Sequence, residues 1–208
     1  MSGNLRGQST RTRILDVAQA AFLAKGFEAT SIDEIVAAVE ITRNGFFYHF
    51  PDKNALARAL IERYVAEEER IFDDIFGRAR ELTGDPLQTM LVGLKLLAEL
   101  LADTPGGHPG CLVATACYQD RLFDAEVREI NRRAVLGWRA RFSGMFAEIA
   151  DRYPPRVPVD HIAMGDMLTT VCEGGFILSK VTRGPAAQPG QVLLFRDFVR
   201  LAYAPPGA

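Results

Sequence analysis

The chain has 208 residues, of which 48% are hydrophobic and 24% are charged, and its formal net charge at pH 7 is −2. These values are typical of a folded globular protein with one or two domains, and they exclude disorder as the main state. A slightly acidic chain is also not one that coats nucleic acid through bulk positive charge.

Targeting signals and cysteine usage bound the class of protein further. No apolar run approaches the ~20 residues that a membrane span requires, and residues 1–13 lack the apolar segment of a secretory signal. The three cysteines show no paired spacing that would indicate a disulfide framework. We therefore expect a cytoplasmic protein that does not enter a membrane.

The first two predicted elements are amphipathic helices. Apolar residues recur at three- and four-residue steps over 10–25, and Gly26 then gives a stop signal. Ser31 is the predicted N-cap of a second helix over about 32–39, with Glu34 completing a capping box.

A third short helix follows after a brief break at about 39–41. Thr42 is its predicted N-cap, and the helix runs over about 43–49. It must end before Pro51, because a residue that precedes proline is disfavoured in α geometry.

The rest of the chain is also predicted to be helical, with proline- or glycine-rich breaks at 105–110, 153–158 and 184–190. The remaining helices begin near Asp52, Asp85, Cys111, Asp124, Asp160 and Gln191. The prediction is an all-α chain of about nine helices, with a helix-turn-helix domain in residues 1–53 and a larger helical domain in residues 54–208.

The second and third helices have the pattern of a DNA-reading helix-turn-helix. Arginine pairs bidentately with guanine and asparagine with adenine, so Arg43 and Asn44 are candidates for base contacts. Gly45 lets the backbone approach a groove wall. The candidates for phosphate contacts are Tyr48, His49 and Lys53.

A family resemblance lies in the order and spacing of residues 12–18, Phe22, 25–27, 30–35, 41–53 and Leu56. Over about residues 10–58 the chain resembles the N-terminal DNA-binding region of the TetR family of bacterial transcriptional regulators. The resemblance implies a homodimeric repressor that binds double-stranded operator DNA and is released by a small-molecule inducer.

By position, the resemblance also implies which residues meet DNA. Thr30 or Ser31 would contact a DNA strand. The residues that would contact bases or the adjacent backbone are Thr42, Arg43, Asn44 and Gly45, and those that would contact phosphates are Phe47, Tyr48, His49 and Lys53. Two residues depart from the family pattern. Glu40 stands where the family usually has the glycine of the turn, and Phe47 stands where tyrosine is usual.

An apolar effector pocket is expected in the larger helical domain, with no metal or organic cofactor. Its predicted walls are Met90, Leu94, Leu97, Cys111, Ala114, Cys117, Tyr118, Trp138, Phe142 and Met167. Such walls favour an uncharged or weakly polar ligand, with orienting hydrogen bonds from Tyr118 and Trp138. We expect the pocket to signal through the long helix that begins at Asp52.

The last two predicted helices, 160–180 and 191–203, are expected to form a four-helix dimer interface. The final helix has one apolar side at Val192, Phe195, Val199 and Ala202 and a neighbouring one at Leu194, Phe198 and Leu201.

Two other classes of function are alternatives to a regulator. An enzyme is disfavoured, because the chain has no nucleotide-binding glycine motif, zinc-protease motif or nucleophile elbow. A helical adaptor could use a helix-turn-helix as a packing unit alone. The sequence leaves open the inducer, the operator, the regulated genes, repression against activation, and whether Cys111 or Cys117 is a sensor.

Overall fold

The computed structural model describes residues 2–104 and 109–203, with side chains from Ser9 onward. Within these residues there are nine α-helices, one short 3₁₀ helix (Asp120–Leu122) and no strand, so the all-α prediction is confirmed. The α-helices are α1 (Ser2–Ala29), α2 (Ile32–Val39), α3 (Arg43–His49), α4 (Lys53–Thr83), α5 (Pro86–Ala102), α6 (Leu112–Tyr118), α7 (Ala125–Arg152), α8 (His161–Thr182) and α9 (Ala187–Tyr203).

The chain divides into two compact units. Unit 1 comprises Met1–Glu67 and Gly110–Ala134, and unit 2 comprises Glu68–Pro109 and Val135–Ala208. Helices α4 and α7 therefore each contribute residues to both units. The functional boundary after Lys53 stays a prediction.

Unit 1 is built on α1 to α3, which bury a continuous apolar face. The stop at Gly26 has the expected backbone, since its φ of 84° interrupts the helical geometry inside α1. A Cβ on Gly26 would also lie 2.5 Å from Nε2 of Gln119, the end of a flexible side chain that would then have to move. The Gln119 side chain in turn accepts a hydrogen bond from the Phe27 amide at 2.7 Å. The buried apolar residues of α1 to α3 include Ile14, Leu15, Ala18, Phe22, Ile35, Val39 and Phe46.

Unit 2 is centred on α9, which packs against α5 and α8. Its four residues Val192, Phe195, Val199 and Ala202 are buried, as a helix with one apolar stripe requires. Gly165 of α8 allows a close approach to α7, since a Cβ there would lie 2.9 Å from the Ser143 backbone nitrogen.

Several predicted boundaries are corrected. Helix α1 begins at Ser2, earlier than Thr10, and α4 continues through Gly77 to Thr83. Glycine inside a helix costs only about 1 kcal/mol relative to alanine, so it does not end one by itself. Helix α9 begins at Ala187 inside the predicted linker at 184–190, and residues 105–108 of the predicted loop lie outside the described residues.

No helix in the described part of the chain is long and apolar enough to span a bilayer.

Candidate functional site

The helix-turn-helix is built by two side-chain caps. Ser31 accepts a hydrogen bond from the Glu34 amide at 3.1 Å, and Thr42 accepts one from the Gly45 amide at 3.0 Å. Each cap satisfies an amide that the first turn of a helix leaves without a partner. Both predicted N-caps are therefore confirmed, and the Thr42 hydroxyl keeps its proton for donation to another acceptor.

The turn between α2 and α3 depends on a left-handed residue that is not glycine. Glu40 has φ 57° and ψ 48°. Its amide donates to the Ala37 carbonyl at 3.2 Å, and the Ile41 amide donates to the Val36 carbonyl at 3.1 Å. This is the Schellman pattern of a helix end. A left-handed conformation costs a non-glycine residue roughly 1–2 kcal/mol, so Glu40 forms this turn at an energetic cost.

One face of α3 is fixed in the core and the other is presented to solvent. Phe46 is fully buried, and its ring lies 5.9 Å from that of buried Phe50. On the opposite side Asn44 and Phe47 are exposed, and Tyr48 is 84% exposed. A helix of two turns with a fixed apolar face and a free polar face can enter the major groove.

Arg43 is exposed and has a partner that sequence reasoning missed. Its Nε lies 2.6 Å from Oδ1 of Asp33, and an Nη donates to Oδ2 at 3.1 Å. The two residues are ten positions apart on different helices, so no local pattern could have identified the pair. Both side chains stay largely solvent-exposed.

Two of the predicted DNA contacts have structural partners. Thr30 is fully buried, and its hydroxyl donates to the Gly26 carbonyl at 2.9 Å. The structure therefore places Thr30 in the interior, and Ser31 is the exposed member of that pair. Lys53 donates to the Phe27 carbonyl, and its Nζ lies 4.2 Å from the Phe27 ring centroid.

Burial lowers the pKa of two basic side chains, one at the end of α3 and one at the start of α4. Burial, and the nearby Lys25 charge, lower the pKa of Lys53, while Glu28 opposes them. Burial and, to a smaller extent, Arg11 lower the pKa of His49 below its ordinary value. The lowered pKa favours the neutral imidazole of His49 in the free protein. The Arg11 guanidinium lies 4.9 Å from the Phe50 ring centroid.

Unit 2 contains a cavity of about 210 Å³. Most of its wall is apolar, and three of the predicted wall residues, Leu97, Trp138 and Phe142, line it. The wall also includes residues of α4, α5 and α8 that the prediction omitted, among them Ile71, Phe72, Leu101, Leu168 and Phe176. Whether these residues bind a ligand stays a prediction.

The other seven predicted wall residues do not line this cavity. Cys111, Ala114, Cys117 and Tyr118 belong to unit 1, and Tyr118 is 81% exposed. The hollow that lies against α6 measures only about 10 Å³, room for one water molecule at most. Met90, Leu94 and Met167 belong to unit 2 but do not line the cavity, since the first two are packed in the core and Met167 is exposed.

The polar groups of the cavity wall are few. They include the carboxylates of Glu68 and Glu173. The indole Nε1 of Trp138 is buried and has no hydrogen-bond partner among the described residues. Burial raises the pKa of the Cys172 thiol to about 12, with further contributions from Glu173 and Glu68. Cys172 is therefore a protonated thiol at neutral pH rather than a reactive thiolate.

The other two cysteines, Cys111 and Cys117, lie at α6 and differ in exposure. Cys111 caps α6 through its sulfur, which accepts from the Ala114 amide at 3.4 Å, whereas Cys117 is exposed rather than in the core. Over the described ranges, no group of three or more histidine, cysteine and acidic side chains is arranged to hold a metal ion.

The comparisons with known proteins agree with this geometry. The sequence model of the family described as "Bacterial regulatory proteins, tetR family" matches residues 14–60, which contain α2, α3 and the start of α4. The chain belongs to the TetR family. The predicted resemblance is thereby confirmed.

Curated relatives of this TetR-family chain are named as transcriptional regulators. It is 35% identical to the regulator AcrR of Shigella flexneri over 40% of this chain and 37% of that protein. It is 33% identical to the regulator TtgR of Pseudomonas putida over 68% of this chain and 56% of that one. The repressor KstR2 of Rhodococcus jostii is 26% identical over 54% of this chain and 50% of its own length. The chain thus spans about half, or less, of the length of these relatives.

Solved TetR-family structures share the fold over nearly the whole chain. A regulator from Agrobacterium tumefaciens has a TM-score of 0.77 at 20% identity, covering 95% of this chain and 100% of that one. One from Chloroflexus aurantiacus has a TM-score of 0.77 at 22% identity, covering 95% and 98%. At these identities the likeness shows the fold alone.

Proposed function

We propose that this TetR-family protein is a dimeric DNA-binding repressor that a small molecule releases from its operator. The observation that carries the proposal is that α3 has two different faces. Phe46 is fixed in the core, while Arg43, Asn44 and Tyr48 face solvent. Those side chains supply the hydrogen-bond groups that read guanine, adenine and phosphate. Repression is supported by the relative KstR2, which is named as a transcriptional repressor.

Dimerisation is supported by an apolar stripe along α8 and α9. On α8, Ile177, Leu178 and Val181 are exposed, and Val181 is 78% exposed. On α9, Leu194 and Leu201 are 62% and 67% exposed. Their steps of three, four and seven residues place each set along one helix side. Large apolar side chains exposed together mark a protein contact.

The dimer contact we propose uses only one of the two apolar sides of α9 expected from sequence. Val192, Phe195, Val199 and Ala202 are buried inside the chain itself and are unavailable to a partner subunit. The neighbouring side, with Leu194 and Leu201, is the free one. Two α3 helices must reach successive major grooves about 34–36 Å apart, so we expect a near-palindromic operator.

The effector role rests on the cavity and on chain continuity. Helix α4 carries Lys53 at its start and Glu68, Ile71 and Phe72 in the cavity wall. Helix α7 begins in unit 1 and carries Trp138 and Phe142. A ligand in the cavity therefore contacts two helices that continue into unit 1. By linkage, a ligand that weakens DNA binding must itself bind the DNA-bound protein more weakly.

The test is a fluorescence anisotropy titration with labelled fragments of the DNA upstream of the protein's own gene. We expect saturable binding to one fragment that unlabelled random DNA displaces poorly. Sedimentation equilibrium at micromolar concentration should give a dimer. Equal affinity for all fragments, or a monomer, would contradict the proposal.

The stripe is tested by the double variant Leu194→Asp, Leu201→Asp. We expect it to sediment as a monomer and to lose operator binding while keeping its helical circular dichroism. Leu82→Asp is the matched control, because Leu82 is also 67% exposed but lies on α4. A monomeric control or a dimeric double variant would overturn the assigned interface.

A further inference from the structure

The wall of the unit 2 cavity contains a buried hydrogen-bond donor without an acceptor. The Trp138 side chain lines the cavity and is only 5% exposed, and its indole Nε1 has no partner among the described residues. Buried polar groups in native proteins nearly always have a partner, and an unpartnered one calls for an explanation. An acceptor atom on a molecule bound in the cavity would supply the missing hydrogen bond.

The other nitrogen- and oxygen-bearing side chains of the described wall already have partners. The hydroxyl groups of Thr104 and Thr169 each donate to a main-chain carbonyl four residues earlier, at 3.1 and 3.5 Å. Nε2 of Gln188 donates to a carbonyl of α8 at 3.4 Å, and Glu68 and Glu173 each have a partner within the chain. A ligand that brought its own donor would have to compete with these interactions or leave the donor unpaired, and either costs free energy.

The charges of the wall disfavour an anionic ligand. The described residues that line the cavity include two glutamates and no lysine, arginine or histidine. A carboxylate or phosphate on the ligand would therefore enter apolar surroundings without a cation beside it, which is costly. A carbonyl oxygen accepts hydrogen bonds, is neutral and carries no donor. It is the group that satisfies Trp138 without creating a new unpaired group.

The size and the aromatic lining restrict the rest of the ligand. A cavity of about 210 Å³ is larger than the roughly 150 Å³ apolar cavity that holds benzene. It therefore suits a molecule with one ring and a short chain. The rings of Phe72, Phe142 and Trp138 lie in the wall and can pack on such an apolar body.

We propose that the effector is a neutral carbonyl compound, a ketone or an ester with one ring and a short chain, whose carbonyl oxygen accepts a hydrogen bond from the indole N–H of Trp138. This inference rests on the effector role proposed above. It narrows the uncharged or weakly polar ligand expected from sequence, because Tyr118 does not line the cavity and Trp138 alone supplies the orienting hydrogen bond.

The test uses two probes with one apolar body, 4-phenylbutan-2-one and 2-methyl-4-phenylbut-1-ene, in which a methylene group replaces the carbonyl oxygen. Trp138 is the one tryptophan of the sequence, so its indole N–H gives a single cross-peak in a proton–nitrogen correlation spectrum of the full chain. We expect the ketone to move the indole proton downfield of its position in the alkene complex. A hydrogen bond deshields that proton, whereas the shared phenyl ring affects both complexes alike. The same indole proton position in both complexes, or no binding of the ketone, would overturn the proposal.

Variants measure the hydrogen bond as a difference between the two probes. Trp138→Phe removes the N–H and should weaken ketone binding about three- to tenfold more than alkene binding in calorimetry. The difference is the informative quantity, because the hydrocarbon leaves water more readily than the ketone and the smaller ring loses contacts with both probes.

Phe142→Leu is the matched control, since it trims an aromatic side chain of the same wall that has no polar atom. It should weaken both probes by the same factor. Equal losses for ketone and alkene in Trp138→Phe would overturn the proposal. If Trp138→Phe does not fold, the spectrum of the unmodified chain decides the question alone.

Anisotropy with upstream DNA in the same preparations separates this inference from the function on which it rests. A ketone that shifts the indole proton downfield but leaves DNA affinity unchanged would support the ligand class and contradict the effector role. Absence of that shift in a protein that binds its operator would contradict the ligand class alone.

Discussion

Asp33 of α2 binds Arg43 of α3 through both carboxylate oxygens, at 2.6 Å to Nε and 3.1 Å to an Nη atom. The guanidinium fork that would read a guanine is therefore already occupied in the free protein. An exposed ion pair of this kind is worth only about 0.2–1 kcal/mol, whereas a bidentate arginine–guanine pair gives about 1–3 kcal/mol of discrimination against the wrong base. We therefore expect operator DNA to displace Asp33 from Arg43.

Arg43→Ala is expected to weaken operator binding by about 1–3 kcal/mol and to relax the preference at one base pair. The measurement is anisotropy at fixed salt with the operator and with single-base variants. Unchanged affinity and preference would show that α3 docks in another way.

Asp33→Asn tests the competition directly. We expect tighter binding to all DNA sequences, by up to about fivefold for the ~1 kcal/mol ion pair that no longer has to be broken. Asp74→Asn is the control, since Asp74 also forms an exposed arginine pair but lies in unit 2, and it changes the net charge equally. A similar gain in both variants would attribute the effect to net charge.

Glu40→Gly is expected to stabilise the protein by about 0.5–1 kcal/mol. Relief of the roughly 1–2 kcal/mol left-handed cost exceeds the ~0.5–1 kcal/mol entropic cost of an added glycine. Urea unfolding measures the difference. Glu40→Gln keeps the Cβ atom and should leave stability unchanged, so any gain in DNA affinity shared by both variants reports the lost negative charge.

The helix-turn-helix could be predicted closely because short-range chemistry decides it. Ser31 and Thr42 begin their helices through hydrogen bonds that close within three residues, and Gly26 has a positive φ for a local steric reason. The partner of Arg43 could not be predicted, because Asp33 reaches it only after α2 and α3 pack. Lys53 shows the same limit, since its contact with Phe27 joins residues 26 positions apart.

The cavity could be predicted only in part. Leu87 to Leu101 form so wide an apolar arc on α5 that periodicity cannot distinguish the side facing a hollow from the side facing α9. Leu97 and Leu101 line the cavity while Met90 and Leu94 are packed in the core. Assigning residues 110–134 to unit 1 likewise depends on tertiary contacts that no local pattern encodes.

Gly165→Ala is expected to destabilise unit 2 by about 1–3 kcal/mol, because the new Cβ would lie 2.9 Å from a backbone atom of α7 that cannot move freely. Gly137→Ala is the matched control within α7, where nothing lies within 4 Å of the new Cβ. The control should gain about 0.5–1 kcal/mol in urea unfolding. Equal effects at both positions would show that α7 and α8 do not pack this closely.

Lys53→Met separates two roles of one ammonium group. Its bond to the Phe27 carbonyl and its place over the Phe27 ring give it a structural role, so we expect a stability loss of about 1–2 kcal/mol. An ammonium has three N–H donors, and the remaining ones are free to meet a phosphate at the start of α4. We therefore also expect the slope of log affinity against log salt to become shallower by about 0.9.

The salt titration needs a variant with the same change in charge. Lys25→Met removes one cation from unit 1, but Lys25 pairs with Glu34 at 2.5 Å and is not among the predicted DNA contacts. Its slope should match that of the unmodified protein. If Lys53→Met unfolds more readily yet also keeps the original slope, Lys53 anchors Phe27 and makes no phosphate contact. The cations that bind the DNA backbone must then be sought elsewhere, with Arg11 near Phe50 as the next to test.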